Sequence, residues 1–167
     1  MMPLWLIGML GVGKSAVAPR LAEALGVESH DTDEWVERHS GRSIARIFAE
    51  EGEAGFRRLE SEAVAELASA AGVVATGGGA VTSPDNVTRM KGSGVVIWLR
   101  ASPATLAARL GVADRPLLDG AKDRVATLHG LLEAREDSYA GAADLRVETD
   151  GLSPAQVVAE VQRKLPS

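Results

Sequence analysis

Short apolar runs alternate along the chain with longer stretches in which apolar residues recur every three or four positions. The runs at 4–7, 73–76, 95–99 and 145–149, with a weaker one at 27–30, predict five β-strands. Helical spacing predicts α-helices over 15–25, 44–50, 56–70, 84–90, 104–109, 124–139 and 154–165. Ser83, Ser102 and Ser153 each precede a proline, the arrangement of an N-cap followed by Pro at the first helical position. Strands that alternate with helices imply an α/β fold whose parallel sheet is covered on both faces. In such sheets ligands bind beyond the carboxyl ends of the strands, so the residues after each strand are the first candidates for a site.

Length and composition narrow the class. The 167 residues suffice for one core, so a single domain over 1–167 is expected. With 46% hydrophobic and 25% charged residues the chain has an ordinary globular composition. A net charge of −5 argues against nucleic acid as a partner. There are 0 cysteines, which removes disulfides, thiolate chemistry and Cys-based zinc sites, and the 3 histidines are too scattered for a metal cluster. The apolar opening at 1–10 has no preceding basic residue and meets Gly8, Gly11 and Gly13, so it reads as a buried strand rather than a leader. No other apolar run approaches the ~18 residues of a membrane span. No membrane partner, a cytoplasmic location and a monomer are the expectations. Residues 111–123 carry Gly111, Arg115, Pro116 and Gly120 without periodicity, which suits a surface loop, either a connector or a functional one.

Gly8-Met9-Leu10-Gly11-Val12-Gly13-Lys14-Ser15 fits GxxxxGK[ST] directly after a predicted strand and at the start of a predicted helix, the context of a phosphate-binding P-loop. Backbone N–H groups of Gly11, Val12 and Gly13 can wrap an anion only where bulky side chains are absent, and the helix N-terminus adds its positive end. Lys14 can reach the β- and γ-phosphates, and the Ser15 hydroxyl can ligate Mg²⁺. Asp31-Thr32-Asp33 follows the second strand, on the same rim. Two readings suit this pair. Asp31 can hold Mg²⁺ while Asp33 accepts substrate hydroxyls and the proton of the attacking one, or Asp33 can cap a helix carrying Trp35 and Val36. Thr76-Gly77-Gly78-Gly79-Ala80 ends the third strand and would let a ligand approach the backbone, although alone it is more often a turn. Arg57, Arg58, Arg115 and Arg135 read individually as solvated surface, yet an anionic reaction in an acidic protein needs cations of this kind.

Taken together, these segments resemble shikimate kinases. The P-loop, Asp31-Thr32-Asp33, Gly41-Arg42-Ser43-Ile44 with Ile47-Phe48, Gly52-Glu53 leading to Phe56-Arg57-Arg58, Gly77-Gly78-Gly79-Ala80-Val81, Arg115-Pro116-Leu117-Leu118 and Arg135 with Tyr139 occur in that family's order, over nearly the whole chain. The resemblance implies a three-layer P-loop kinase fold with strand order 2-3-1-4-5, and ATP-dependent phosphorylation of the 3-hydroxyl of shikimate. It assigns ATP to Gly11, Val12, Gly13, Lys14, Ser15 and Ala16 together with Arg109 and Arg115, and Mg²⁺ to Ser15 and Asp31. It assigns shikimate to Asp33, Arg57 and Arg135, to the backbone of Gly78 and Gly79, and to an apolar wall of Phe48 and Phe56. Lys14, Asp33 and Arg115 would carry the catalysis, with Arg115 in a mobile lid at 111–123.

Three positions depart from the family pattern. Ala16 stands where a second hydroxyl commonly follows GK[ST], so one contact to the nucleotide α-phosphate is expected to be missing. Pro19 lies in the helix after the P-loop, where it cannot donate a bond toward Ser15 and is expected to kink or open the helix. Asp137 replaces a proline two residues after Arg135. Two rival readings stay open: a kinase of gluconate or of nucleoside monophosphates, which Asp33, Arg57 and Arg135 disfavour, and a non-catalytic homologue, which Ala16 and Pro19 keep alive.

Overall fold

The computed structural model describes residues 1–110 and 124–167. β1 (Leu4–Ile7) is buried along its whole length, which fits an uninterrupted apolar run at the centre of a parallel sheet. It pairs with β3 (Val73–Ala75) on one side and β4 (Val95–Arg100) on the other. β2 (Ser29–Asp31) extends the sheet beyond β3 and β5 (Leu145–Glu148) extends it beyond β4. All pairings are parallel, and the order is β2-β3-β1-β4-β5, as the resemblance implies.

The α-helices are α1 (Lys14–Leu25), α2 (Thr32–Ser40), α3 (Ile44–Leu67), α4 (Pro84–Ser93), α5 (Pro103–Leu110), α6 (Arg124–Ala142) and α7 (Pro154–Lys164), with a 3₁₀ turn at Ala80–Thr82. The main core forms around β1 and β4, where Trp5, Leu6, Ile97 and Leu99 are fully buried between the helical layers. A smaller cluster of Val36, Ile47, Phe56 and Ala63 joins α2 to α3. Among the described residues no helix is long and apolar enough to cross a membrane.

All three predicted serine caps are in place. Ser83 and Ser153 accept the amides of Asn86 and Gln156, and Ser102 accepts that of Thr105. Elsewhere the structure differs from the sequence pattern. β2 starts two residues later than expected, and α2 forms where only Trp35 and Val36 hinted at a helix. Its cap is Asp31, not Asp33, since Asp31 Oδ1 accepts the amides of Asp33 and Glu34 at 2.8 and 3.3 Å. The Gly41-Arg42-Ser43-Ile44 segment is the corner between two helices: Gly41 closes α2 in a left-handed conformation, and the Ser43 hydroxyl caps α3. The two helices expected over 44–50 and 56–70 are the halves of α3, joined at Gly52, whose φ of 70° breaks the helix at a conformation that favours glycine. The opening expected at Pro19 is absent, because α1 runs through it. Ser15 and Pro19 are both exposed, so the carbonyl deprived of its N–H donor lies on the solvent side, where water can serve it.

Candidate active site

Three turns meet at the carboxyl edge of the sheet: the P-loop after β1, Asp31-Thr32-Asp33 at the end of β2, and Gly77-Gly78-Gly79 after β3. The parallel register aligns their origins, with Leu6 and Asp31 both opposite Ala75. The Thr76 hydroxyl and amide both donate to the Leu6 carbonyl, at 2.9 and 3.1 Å, which ties the third turn to the first.

In the P-loop, α1 begins without a side-chain cap because its N-cap is Gly13, so its first turn presents its positive end to the cleft. Lys14 is only 8% exposed, and its Nζ donates to the carbonyls of Gly8 (2.5 Å) and Met9 (2.9 Å), curling back over the loop. A cleft of 440 Å³ opens above, a size suited to a small-molecule ligand. Its far wall comes from Arg109 on α5 and from Leu152, Pro154 and Val157 around the start of α7. Arg109 donates to the Val12 carbonyl at 3.0 Å and to the Thr149 hydroxyl and carbonyl at 3.0 and 2.8 Å, linking the P-loop to the end of β5. Ala16 is exposed in this cleft and offers it no polar side-chain atom.

Asp31 works in two directions. One oxygen caps α2, and the other accepts the Ser15 hydroxyl at 3.2 Å. A hydroxyl beside one carboxylate is a hard-oxygen donor pair of the kind Mg²⁺ uses when phosphates and water complete its shell. Among the described residues no cluster of three or more His, Cys, Asp or Glu side chains could enclose a metal alone.

Beyond Asp33 lies a second compartment of 60 Å³. The two compartments share Leu10, Asp33, Gly77 and Gly78, so Asp33 stands where they join. Ile44, Phe48 and Phe56 form its apolar wall, with the two phenyl rings 5.0 Å apart. Arg57, Glu60 and Arg135 form its polar side. Glu60 Oε1 accepts from Arg57 Nη1 at 2.9 Å, and Glu53 accepts from the other edge of the guanidinium at 3.2 Å. A Cβ on Gly77 would collide with Glu60 and one on Gly79 with the Arg57 guanidinium, so the glycines let this pair lie against the backbone.

Glu60 is 1% exposed. Burial pushes its carboxyl above the usual range, against the opposing charges of Arg57, Arg135 and Lys14. Burial also works against the Arg57 cation, but the charges and hydrogen bonds of Glu60 and Glu53 outweigh it and hold that guanidinium above its ordinary value. Arg135 is 6% exposed, and its Nη1 is a buried donor with no hydrogen-bond partner among the described residues. A buried cationic donor left without an acceptor in a cavity marks a place for an anion. Asp137 is exposed on the same helix, and α6 is continuous past it.

Residues 10–166 match the family model described as shikimate kinase. The chain belongs to the shikimate kinase family. Shikimate kinase of Symbiobacterium thermophilum is 48% identical over 168 residues, which cover 98% of this chain and 96% of that relative. Shikimate kinase of Moorella thermoacetica is 44% identical over 162 residues, covering 96% and 92%. Among solved structures, shikimate kinase from Acinetobacter baumannii in complex with shikimate superposes with a TM-score of 0.93 at 34% identity, over 99% of this chain and 96% of that one. Family membership makes the chain an ATP-using kinase and sets aside the gluconate and nucleoside monophosphate readings.

The candidate residues for a shikimate kinase site that lie within the described residues all line one of the two compartments. Arg115 and the lid over 111–123 fall outside the described residues. The sequence reading missed Glu60, Thr32 and the apolar far wall of the larger cleft. Glu60 lies three residues after Arg57 on a predicted helix, a spacing that permits the ion pair but does not say that it is buried. Thr32 is buried between two carboxylates, and its hydroxyl accepts the Gly77 amide at 3.0 Å, a contact across 45 residues that local pattern cannot announce.

Proposed function

We propose that this chain transfers the γ-phosphoryl group of ATP to the 3-hydroxyl of shikimate, giving ADP and shikimate 3-phosphate on the route to chorismate and the aromatic amino acids. The observation that carries this reading is the unpartnered Nη1 of buried Arg135, set in a small compartment that meets the P-loop cleft at Asp33. The ring carboxylate would bind Arg135 and Arg57, with Phe48 and Phe56 against the ring face and the backbone of Gly78 and Gly79 beneath it. That placement points a substrate hydroxyl toward Asp33 and the P-loop.

Asp33 accepts the proton of that hydroxyl as its oxygen bonds to the γ-phosphorus, while the bond from the γ-phosphorus to the bridging oxygen breaks and its electrons stay on ADP. Lys14 leaves the carbonyls of Gly8 and Met9 for the phosphates, and the amides of Gly11, Val12 and Gly13 with the start of α1 hold their remaining charge. Ser15 and Asp31 would hold Mg²⁺, which when bound neutralises phosphate charge. Ala16 borders the α-phosphate position without adding a hydroxyl, and Arg109 borders the adenine position. The enzyme works as a cytoplasmic monomer.

ADP release measured across shikimate, quinate, gluconate and nucleoside monophosphates tests this reading. Shikimate is expected to support turnover at least about tenfold better than the others: gluconate lacks the ring, the nucleotides lack the ring carboxylate, and quinate has a puckered saturated ring and an extra hydroxyl on the carbon that bears its carboxylate. Equal or better turnover with gluconate or a nucleotide would overturn it.

A further inference from the structure

The glycine turn after β3 has no side chains of its own to hold it, yet two of its peptide groups are fixed by buried hydroxyls from distant elements. The Thr32 hydroxyl, at the start of α2, accepts the Gly77 amide at 3.0 Å. The Tyr139 hydroxyl, on α6, donates to the Gly78 carbonyl at 2.5 Å. Both residues are completely buried. A third hydroxyl, that of Thr82, donates to Gly79 from within the turn itself.

The two distant anchors are attached to the two parts of the smaller compartment that must keep register. Thr32 lies between Asp31 and Asp33, so its bond couples the turn to the residue where the compartments join. Tyr139 lies one helical turn beyond Arg135 on α6, and its ring stacks on Trp98 of β4 with centroids 5.6 Å apart. A Cβ on Gly78 would come within 3.5 Å of Arg135 Nη1, so a shift of this backbone changes the space beside that guanidinium.

We propose that Thr32 and Tyr139 are positioning residues: their hydroxyls hold the Gly77–Gly78 backbone in the one conformation that sets Asp33 and Arg135 on opposite sides of the bound acid. Neither touches the substrate; Thr32 acts through the Gly77 peptide it fixes, and Tyr139 through the Gly78 peptide and its hydrogen bond with Arg135. The inference rests on the proposed shikimate reaction for its catalytic consequence and on the hydrogen bonds alone for its conformational one. Burial pushes the Tyr139 phenol up to about 12, against the charge and hydrogen bond of Arg135, so it stays a donor throughout the neutral range.

The test uses Tyr139→Phe, which keeps the ring on Trp98, and Thr32→Val, which keeps the volume, with Thr32→Ser restoring the hydroxyl. Amide exchange at Gly77–Ala80 is read first and needs no substrate. Both hydroxyl-deleting variants are expected to exchange there about tenfold faster, as loss of one buried hydrogen bond implies, with melting still cooperative. Steady-state kinetics follow. The kcat/KM for shikimate is expected to fall at least about tenfold while the KM for ATP moves less than about threefold, because the turn sets the relation of Asp33 to Arg135, whereas the nucleotide would be held mainly by the P-loop. Thr32→Ser should return both readings to near the parent values.

Unchanged exchange at the turn in both variants would overturn the proposal whatever the substrate proves to be. Faster exchange with unchanged shikimate kinetics would also overturn it, by reducing the hydroxyls to structural ties. If the parent protein fails to phosphorylate shikimate, the reaction is wrong, and the exchange experiment still decides the conformational part.

Discussion

Glu60 Oε1 lies 2.9 Å from Arg57 Nη1, and Glu60 is almost wholly withdrawn from water. A buried carboxylate of this kind sets the direction of its partner: with Glu60 on Nη1 and Glu53 on the opposite edge, the Arg57 guanidinium is held in one orientation at the compartment wall. Replacing Glu60 by Gln keeps an acceptor but removes the charge. The shikimate KM is expected to rise about tenfold, the scale of one charge-assisted hydrogen bond, with kcat less affected.

The same substitution has a pH signature. Burial raises the Glu60 carboxyl above its ordinary value of 4.5, so the folded protein holds that proton in a range where the unfolded chain has released it. The contribution of Glu60 to stability is therefore present below that value and lost as pH rises through the raised one. Thermal melts of the parent and of Glu60→Gln from pH 4.5 toward neutrality should show the variant gaining on the parent as pH rises. A difference that does not move with pH would contradict the assignment.

Ala16 lines the P-loop cleft without a hydroxyl, and in the proposed reading it borders the α-phosphate, so Ala16→Ser is predicted to lower the Kd for ATP about threefold to tenfold, the value of one added hydrogen bond. Shikimate binding, in the other compartment, should stay the same. Calorimetric titration of each ligand into parent and variant checks both statements.

The legible parts were those that local chemistry dictates. The strand order followed from the resemblance, and the P-loop could be read from three glycines, a lysine and a serine placed between a strand and a helix. The sequence offers Asp31 as a metal ligand with Asp33 as the acceptor of substrate hydroxyls, or Asp33 as a helix cap; the structure makes Asp31 the cap, while its second oxygen meets Ser15. Capping depends on where β2 ends, and β2 is a short, half-exposed edge strand with little apolar signal. Helix α2 was hidden for a related reason: it is mostly polar and owes its place to Val36 packing on Ile47 and Phe56 of α3. The anchors of the glycine turn bridge 45 and 61 residues, distances over which sequence pattern is silent.

The two aspartates have separable roles in the proposed reaction. Asp33→Asn keeps the shape but cannot accept a proton, so turnover is expected to fall at least about 100-fold with little change in ATP affinity. Asp31→Asn should instead raise the Mg²⁺ concentration needed for half-maximal activity, because it removes charge from the pair it forms with Ser15. Turnover measured against Mg²⁺ and shikimate concentrations for both variants distinguishes them. Rescue of Asp33→Asn by added Mg²⁺, without rescue of Asp31→Asn, would exchange the roles.

In the proposed reaction one cleft in two compartments passes a phosphoryl group across Asp33 to one hydroxyl of shikimate. The most direct measurement is a single turnover with enzyme in excess over shikimate, in the presence of ATP and Mg²⁺, with the product read by phosphorus–proton coupling in its NMR spectrum. One product is expected, with phosphate coupled to the proton on the carbon that bears the 3-hydroxyl, and a loss of at least about 100-fold in its rate for Lys14→Ala. Phosphate on another hydroxyl, release of inorganic phosphate alone, or an undiminished rate in folded Lys14→Ala would contradict it.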